Sequence, residues 1–307
     1  MRVLYIAGAG RSGSTILGHI LGQFNGCTSV GELWNIWRRG LVERRKCGCG
    51  TPVLECPFWN PVLERAFGLP LPFDPRDVVA LGDRRLEARS LPAMAARRLR
   101  GPRGDDEYLD LLAPLYRAAF DLSGAAVLVD ISKSAIYAAL LAGIPGCDVR
   151  VVHLVRDARA SAYSWLRTKR LPDFGDERSM VMQTPVTTAR RWIKAQLLVE
   201  ALWSSRTERY LFLRYEDLVA HPRAAVDRIV DFAGVDALGS PFVGERVVRL
   251  GPTHSVSGNP ARFSSGDVEL RPDDEWRRAM LPGDRARVAA LTWPLLLRYD
   301  YPLRPAA

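Results

Sequence analysis

Lysine is scarce in this chain. Of 43 basic residues only Lys46, Lys133, Lys169 and Lys194 are lysines, and there are four histidines. The remaining cations are arginines scattered through amphipathic segments such as Arg84-Arg85 and Arg97-Arg98. A long basic tail is missing, as is a coherent basic stripe interleaved with aromatics, which argues against a nucleic-acid-binding module. Long apolar runs are missing too. After Met1-Arg2, the run Val3-Leu4-Tyr5-Ile6 soon meets glycines, too short for a signal peptide core or a membrane span. A soluble, cytoplasmic protein with no membrane partner is expected. Cysteine is limited to Cys27, Cys47, Cys49, Cys56 and Cys147, an odd number for which reduced thiols are the expectation. No internal repeat or low-complexity tract stands out.

What is present is a globular composition. The 307 residues are 48% hydrophobic and 25% charged, enough for a substantial core. The net charge of +9 favours anionic partners without choosing among them. Val3 to Ala7 reads as a buried strand closed by Gly8-Ala9-Gly10, and Thr15 to Leu21 carries helical periodicity. Thr28-Ser29-Val30 is a second extended piece. Three further apolar strands follow at Ala126–Val129, Val149–Val155 and Tyr210–Leu213, each before a helical pattern, with Ser132 or Asp157 near the helix starts. This alternation predicts an α/β fold, a three-layer sandwich around a parallel sheet. One domain is expected over residues 1–307, with a helical insertion at about 70–122. In such sheets ligands collect at the carboxyl ends of the strands, where the polar motifs of this chain fall.

The first motif is Gly8-Ala9-Gly10-Arg11-Ser12-Gly13-Ser14-Thr15, between a strand and a helix. Backbone N–H groups at a helix start, helped by the helix dipole, make a phosphate site. The frame is nearly that of a nucleotide triphosphatase, but Ser14 stands where the loop lysine belongs. That lysine contacts the β- and γ-phosphates, so its absence argues against ATP or GTP hydrolysis. Positive charge arrives at Arg11 instead. The second motif runs from Val151 to Trp165, again strand then helix, with Arg156 at the strand end and Ser164 one to two turns along. Both residues are placed to reach one phosphate.

Arg11-Ser12-Gly13-Ser14-Thr15 resembles the 5′-phosphosulfate loop of sulfotransferases that use 3′-phosphoadenosine-5′-phosphosulfate (PAPS). The Arg156/Ser164 pair is similar to that family's 3′-phosphate element. The resemblance implies a P-loop-like sulfotransferase fold, PAPS as donor, PAP as product and no metal. It implies that Arg11, Ser12, Gly13, Ser14 and Thr15 hold the 5′-phosphosulfate and that Arg156 and Ser164 hold the 3′-phosphate. Leu213-Arg214-Tyr215-Glu216-Asp217-Leu218 is similar to a family stretch whose tyrosine packs near adenine, which makes Tyr215 a cofactor contact. Ser257-Gly258-Asn259-Pro260-Ala261-Arg262-Phe263 resembles, more weakly, the late loop that closes over the nucleotide, with Asn259 and Arg262 as contacts. Lys133, in Asp130-Ile131-Ser132-Lys133-Ser134, matches the family lysine at the bridging oxygen or 5′-phosphate, while Asp130 is expected to orient it or cap the next helix.

The general base separates branches of the family. The cytosolic branch carries a histidine two residues after this lysine, and here that position is Ala135. The branch that includes tyrosylprotein sulfotransferases uses a glutamate after the second strand, which Glu32 matches. Its apolar flanks lead us to expect a raised pKa. His254 is the reserve base, and His19, His153 and His221 have weaker claims, His153 because it lies in a buried strand pattern. Cys47-Gly48-Cys49 with Cys56 lacks a fourth metal ligand unless Cys27 supplies one, so a thiol-rich structural loop or a reversible disulfide is favoured over zinc. The acceptor is expected to be a small-molecule hydroxyl or amine, with a pocket shaped by residues 70–104 and 166–184, and a homo-oligomer stays open. The rival readings are a nucleotide kinase-like phosphotransferase and a basic nucleic-acid-binding protein.

Overall fold

The computed structural model describes residues 1–86, 106–167, 173, 182–235 and 239–303. Its centre is a five-stranded sheet: β1 (Arg2–Ala7), β2 (Cys27–Gly31), β3 (Val127–Lys133), β4 (Asp148–Val155) and β5 (Tyr210–Arg214). The order is β2-β3-β1-β4-β5 and every pairing is parallel, from Val3 opposite Leu128 to Val155 opposite Arg214, with register shifts against β3 between Tyr5 and Ala7 and between Ser29 and Gly31. β1 therefore lies between β3 on one side and β4 on the other. The α/β sandwich read from the sequence is the observed fold.

Both faces of the sheet are covered, as parallel strands require. On β1, Val3, Tyr5 and Ala7 point into one apolar cluster, which includes Trp37, Trp59, Leu112, Tyr116, Tyr137 and Trp203. Leu4 and Ile6 point into the other, with Leu17, Ile20, Val226 and Ile229. The expected strand at 126–129 is longer than its apolar run. It continues to Lys133 because Asp130 and Ser132 are satisfied within the fold: Asp130 accepts hydrogen bonds from the Tyr116 hydroxyl and from the Ser132 amide at 2.7 Å. Asp130 thus neither binds Lys133 directly nor caps a helix. The following helix, Ala135–Leu141, is capped by Ser134, whose hydroxyl accepts from the Tyr137 amide, rather than by Ser132. Asp157 does cap its helix, Ala158–Leu166, accepting from the Arg159 amide at 2.8 Å.

In the expected insertion the helices Pro75–Arg85 and Glu107–Ser123 pack in the same layer as Trp37 and Trp59. Residues 87–105 lie outside the described residues, as does most of the 166–184 stretch. A small antiparallel pair, β6 (Val247–Leu250) and β7 (Gly266–Glu269), flanks the loop that carries Asn259 and Arg262. Among the described residues no helix is long and apolar enough to cross a membrane.

Candidate active site

Each of the five strands delivers one polar residue at its carboxyl end. β1 runs into the Arg11 loop, Glu32 follows β2, Lys133 ends β3, Arg156 follows β4 and Tyr215 follows β5. Residues far apart in the chain meet there because parallel strands all end on the same edge.

The loop after β1 is shaped by backbone that side chains would obstruct. At Gly8 an added Cβ would sit 2.4 Å from the Leu154 carbonyl oxygen of β4. Gly13, at φ 85°, precedes the helix Ser14–Leu21, and a Cβ there would meet the Tyr215 ring at 2.6 Å. Arg11 is itself left-handed, at φ 69°. The Ser12 hydroxyl donates to the Ala9 carbonyl at 2.9 Å and closes the turn. The Arg11 guanidinium lies 4.5 Å from the centre of the Trp165 ring. Burial draws its pKa down, with the charge of Glu32 opposing and that of Arg167 adding to the shift.

Glu32 and Lys133 form an ion pair across β2 and β3. Lys133 Nζ also donates to the Ile131 carbonyl at 3.2 Å, and the residue holds a positive φ of 70°. Asn35 Nδ2 donates to the second Glu32 oxygen at 2.9 Å, with Ser257 3.4 Å away, and Arg39 in turn donates to Ser257 at 2.8 Å. Burial alone would raise the Glu32 pKa. The charges of Lys133, Arg39 and Arg262, with the Lys133 hydrogen bond, outweigh it and leave the carboxyl below its usual value. The expected upward shift is therefore corrected, because the apolar sequence neighbours of Glu32 conceal three cations close in space.

Arg156 is buried and ties the second element to the first. Its Nη1 donates to the Arg11 carbonyl at 3.1 Å, and Nη2 to the Asp273 carbonyl at 3.0 Å, with an ion pair to the Asp273 carboxylate at 3.1 Å. The guanidinium stacks 4.5 Å from the Tyr215 ring centre. Tyr215 thus packs against both Gly13 and Arg156. Ser164 is buried on the helix after Arg156. Trp165, the next residue, covers the loop and shares with Gly8, Gly10 and Lys133 the wall of a cleft of about 360 Å³ that also carries Arg191 and Lys194.

Two expected contacts face other partners. Arg262 is buried in an ion pair with Asp173 at 2.8 Å and donates to the Lys46 and Gly258 carbonyls. It braces the late loop, while the Asn259 amide reaches Thr15 Oγ1 at 3.3 Å and joins that loop to the first motif. The reserve base His254 sits among the cysteines, Nδ1 3.2 Å from Cys56 Sγ. His153 is buried between Tyr210 and Gln196, consistent with its weak claim. The sequence reading missed Asn35, Arg39, Ser257, Trp165 and Asp273. Trp165, adjacent to Ser164, and Ser257, at the head of the late-loop motif, carried a local signal; Asn35 and Arg39 sit on short helical turns after Glu32 and Asp273 on a distant segment, none of them announced by the chain pattern.

A model of the sulfotransferase family matches residues 88–238, close to half of the chain. The sulfotransferase domain of the Synechococcus PCC 7002 olefin synthase shares the fold at 21% identity with a TM-score of 0.53, covering 98% of this chain and 95% of that one. A sulfotransferase domain from the curacin biosynthetic pathway does so at 18% identity and 0.56, covering 97% of each. No curated protein sequence matches. The parallel sheet with its glycine-rich loop is the P-loop-like fold of those sulfotransferase domains. Residues 88–238 belong to the sulfotransferase family, and the chain as a whole shares the fold of the two sulfotransferase domains.

Proposed function

We propose that this protein moves a sulfuryl group from PAPS to a hydroxyl or amine of a small-molecule acceptor. The observation that carries the reading is the join between its two anion elements: Arg156, at the end of β4, hydrogen-bonds the Arg11 carbonyl of the loop after β1. Arg156 Nε is buried without a hydrogen-bond partner, a donor left over for an anion. The residues fit a donor with two separate anionic groups. Arg11 and the amides of Ser12 to Thr15 would hold the 5′-phosphosulfate, Arg156 and Ser164 the 3′-phosphate, and Tyr215 the adenosine side. Asn259, bonded to Thr15, would close the loop over them. Arg262 serves this site indirectly, through the fold of the late loop.

When bound, PAPS supplies an activated sulfuryl group with a phosphate leaving group. Glu32, ionised beside Lys133, takes the proton from the acceptor heteroatom. Lys133 places positive charge where the departing phosphate oxygen gains negative charge, and Arg11 adds to it. Asn35 and Ser257 hold the second Glu32 oxygen and so fix the direction of the first. Neither role calls for a metal. The experiment is calorimetric titration with PAP, then an acceptor screen with labelled PAPS in magnesium-free buffer. Submicromolar to micromolar PAP binding and transfer without magnesium are expected. Binding of ATP with magnesium in preference to PAP would favour a phosphotransferase and overturn the reading.

A further inference from the structure

We propose that Cys47, Cys49, Cys56 and His254 form a structural zinc site. Four ligand atoms, three Sγ and a ring nitrogen, lie within 4.8 Å of one another. Cys56 Sγ is 3.6 Å from Cys49 Sγ, 3.7 Å from Cys47 Sγ and 3.2 Å from His254 Nδ1. A tetrahedron with zinc–sulfur bonds of about 2.3 Å places its sulfurs about 3.7–3.8 Å apart, and a sulfur and an imidazole nitrogen about 3.5 Å apart. The two sulfur–sulfur spacings fit that figure, and the sulfur–nitrogen spacing is slightly shorter than it. A disulfide does not fit, since its sulfurs would lie about 2.05 Å apart, and all five cysteines are free. The sequence reading favours a thiol-rich loop or a reversible disulfide over zinc, because a fourth ligand is missing unless Cys27 supplies it. Cys27 instead begins β2 and packs in the cluster on the opposite face from Cys47 and Cys56. His254 fills the place, 198 residues beyond Cys56.

The surroundings hold the ligands in position. The Phe58 ring stacks on His254 at 5.2 Å, and Trp59 Nε1 donates to the His254 carbonyl at 2.6 Å. Gly48 is held against the other chain segment by a bond from its amide to the Ser255 carbonyl at 3.0 Å. With four protein ligands, a bound zinc has no open position, which defines a structural rather than a catalytic role. What it would secure is specific. Two residues after His254, Val256 pairs with the end of β2: its amide donates to the Val30 carbonyl at 3.0 Å, and its carbonyl accepts from the Glu32 amide at 2.7 Å. The next residue, Ser257, faces the Glu32 carboxylate. The ion would therefore clamp residues 47–56 to the segment that positions Glu32, and its binding energy would add to folding stability.

The test uses the full chain and zinc alone, and needs neither donor nor acceptor. Protein purified from zinc-supplemented medium without chelator should carry about one zinc per chain by mass spectrometry of the metal. Its release by a mercurial should be stoichiometric and lower the melting temperature. Cobalt substitution should give thiolate-to-cobalt charge transfer with intense tetrahedral d–d bands. Cys49→Ser, at the most exposed of the three thiols, should weaken zinc binding about tenfold or more while the chain still folds, and His254→Ala should do the same. Metal-free wild-type protein, a disulfide among the three cysteines, an iron–sulfur chromophore, or full zinc content in both variants would overturn the site.

Discussion

Glu32 stands under opposed influences, and their balance sets what its substitution should do. Burial favours the neutral acid; Lys133, Arg39 and Arg262 favour the carboxylate and prevail. A base with a lowered pKa is ready at neutral pH, so activity should fall only when pH drops through that lowered value. We expect the acidic limb of kcat/KM to lie below the ordinary carboxylate range and Glu32→Gln to remove it. Loss of base catalysis should lower kcat by about 10²–10⁴-fold while PAP affinity stays near wild type. An unchanged kcat would assign the proton transfer elsewhere, and His254→Ala is a poor control, since that ring belongs to the cysteine cluster. Arg156 has a different signature. Arg156→Ala should cost PAP about 1.5–3 kcal/mol of binding, and adenosine 5′-phosphosulfate, which lacks the 3′-phosphate, much less. Equal losses in parallel titrations of the two ligands would show that Arg156 only supports the loop through its bond to Arg11.

At the scale of elements, the loop after β1 depends on what packs over it. Gly13 combines a left-handed backbone with a close approach to Tyr215, so Gly13→Ala forces strain of about 1–3 kcal/mol and pushes on the ring beneath Arg156. PAP binding should weaken at least about tenfold, read by calorimetry; an unaltered affinity would mean the loop takes no part in holding the anion. This loop was legible because its signal is local: strand, glycines, Arg11 and helix start all lie between Arg2 and Ser14. The strands were legible as apolar runs, although β3 exceeded its run because Asp130 is satisfied from a helix by Tyr116. The site's outer parts were not legible. Asp173 holds Arg262, Asp273 holds Arg156, and His254 completes a set of cysteines, and each pairing spans a long stretch of chain with no periodicity to announce it. The direction of the Glu32 shift failed for the same reason, since sequence neighbours are not spatial neighbours.

Across the whole molecule, two buried groups on either side of β1 give the acid response opposite signs. His153 on β4 accepts from Tyr210 at one ring nitrogen and donates to Gln196 Oε1 at the other, an arrangement that suits the neutral ring. Burial draws its pKa down from 6.5 to about 4. Its contribution is full above pH 6.5 and is lost as pH falls toward 4, because the unfolded chain then binds the proton that the fold refuses. Asp130 on β3 behaves in reverse. Burial lifts it from 3.8 to about 6 against the hydrogen bonds from Ser132 and Tyr116. Its contribution is full below pH 3.8 and is lost as pH rises toward 6. Each is worth about 3 kcal/mol at most, so between pH 4 and 6 they largely cancel. Single substitutions should uncover them. Relative to wild type, Asp130→Asn should lose about 2 kcal/mol as pH falls from 6 to 4, and His153→Gln should gain about as much. Urea unfolding at a series of pH values measures both, and titrations common to all three proteins drop out of the differences. Curves for wild type and both variants that run parallel from pH 6 to 4 would show that neither group titrates as its burial demands.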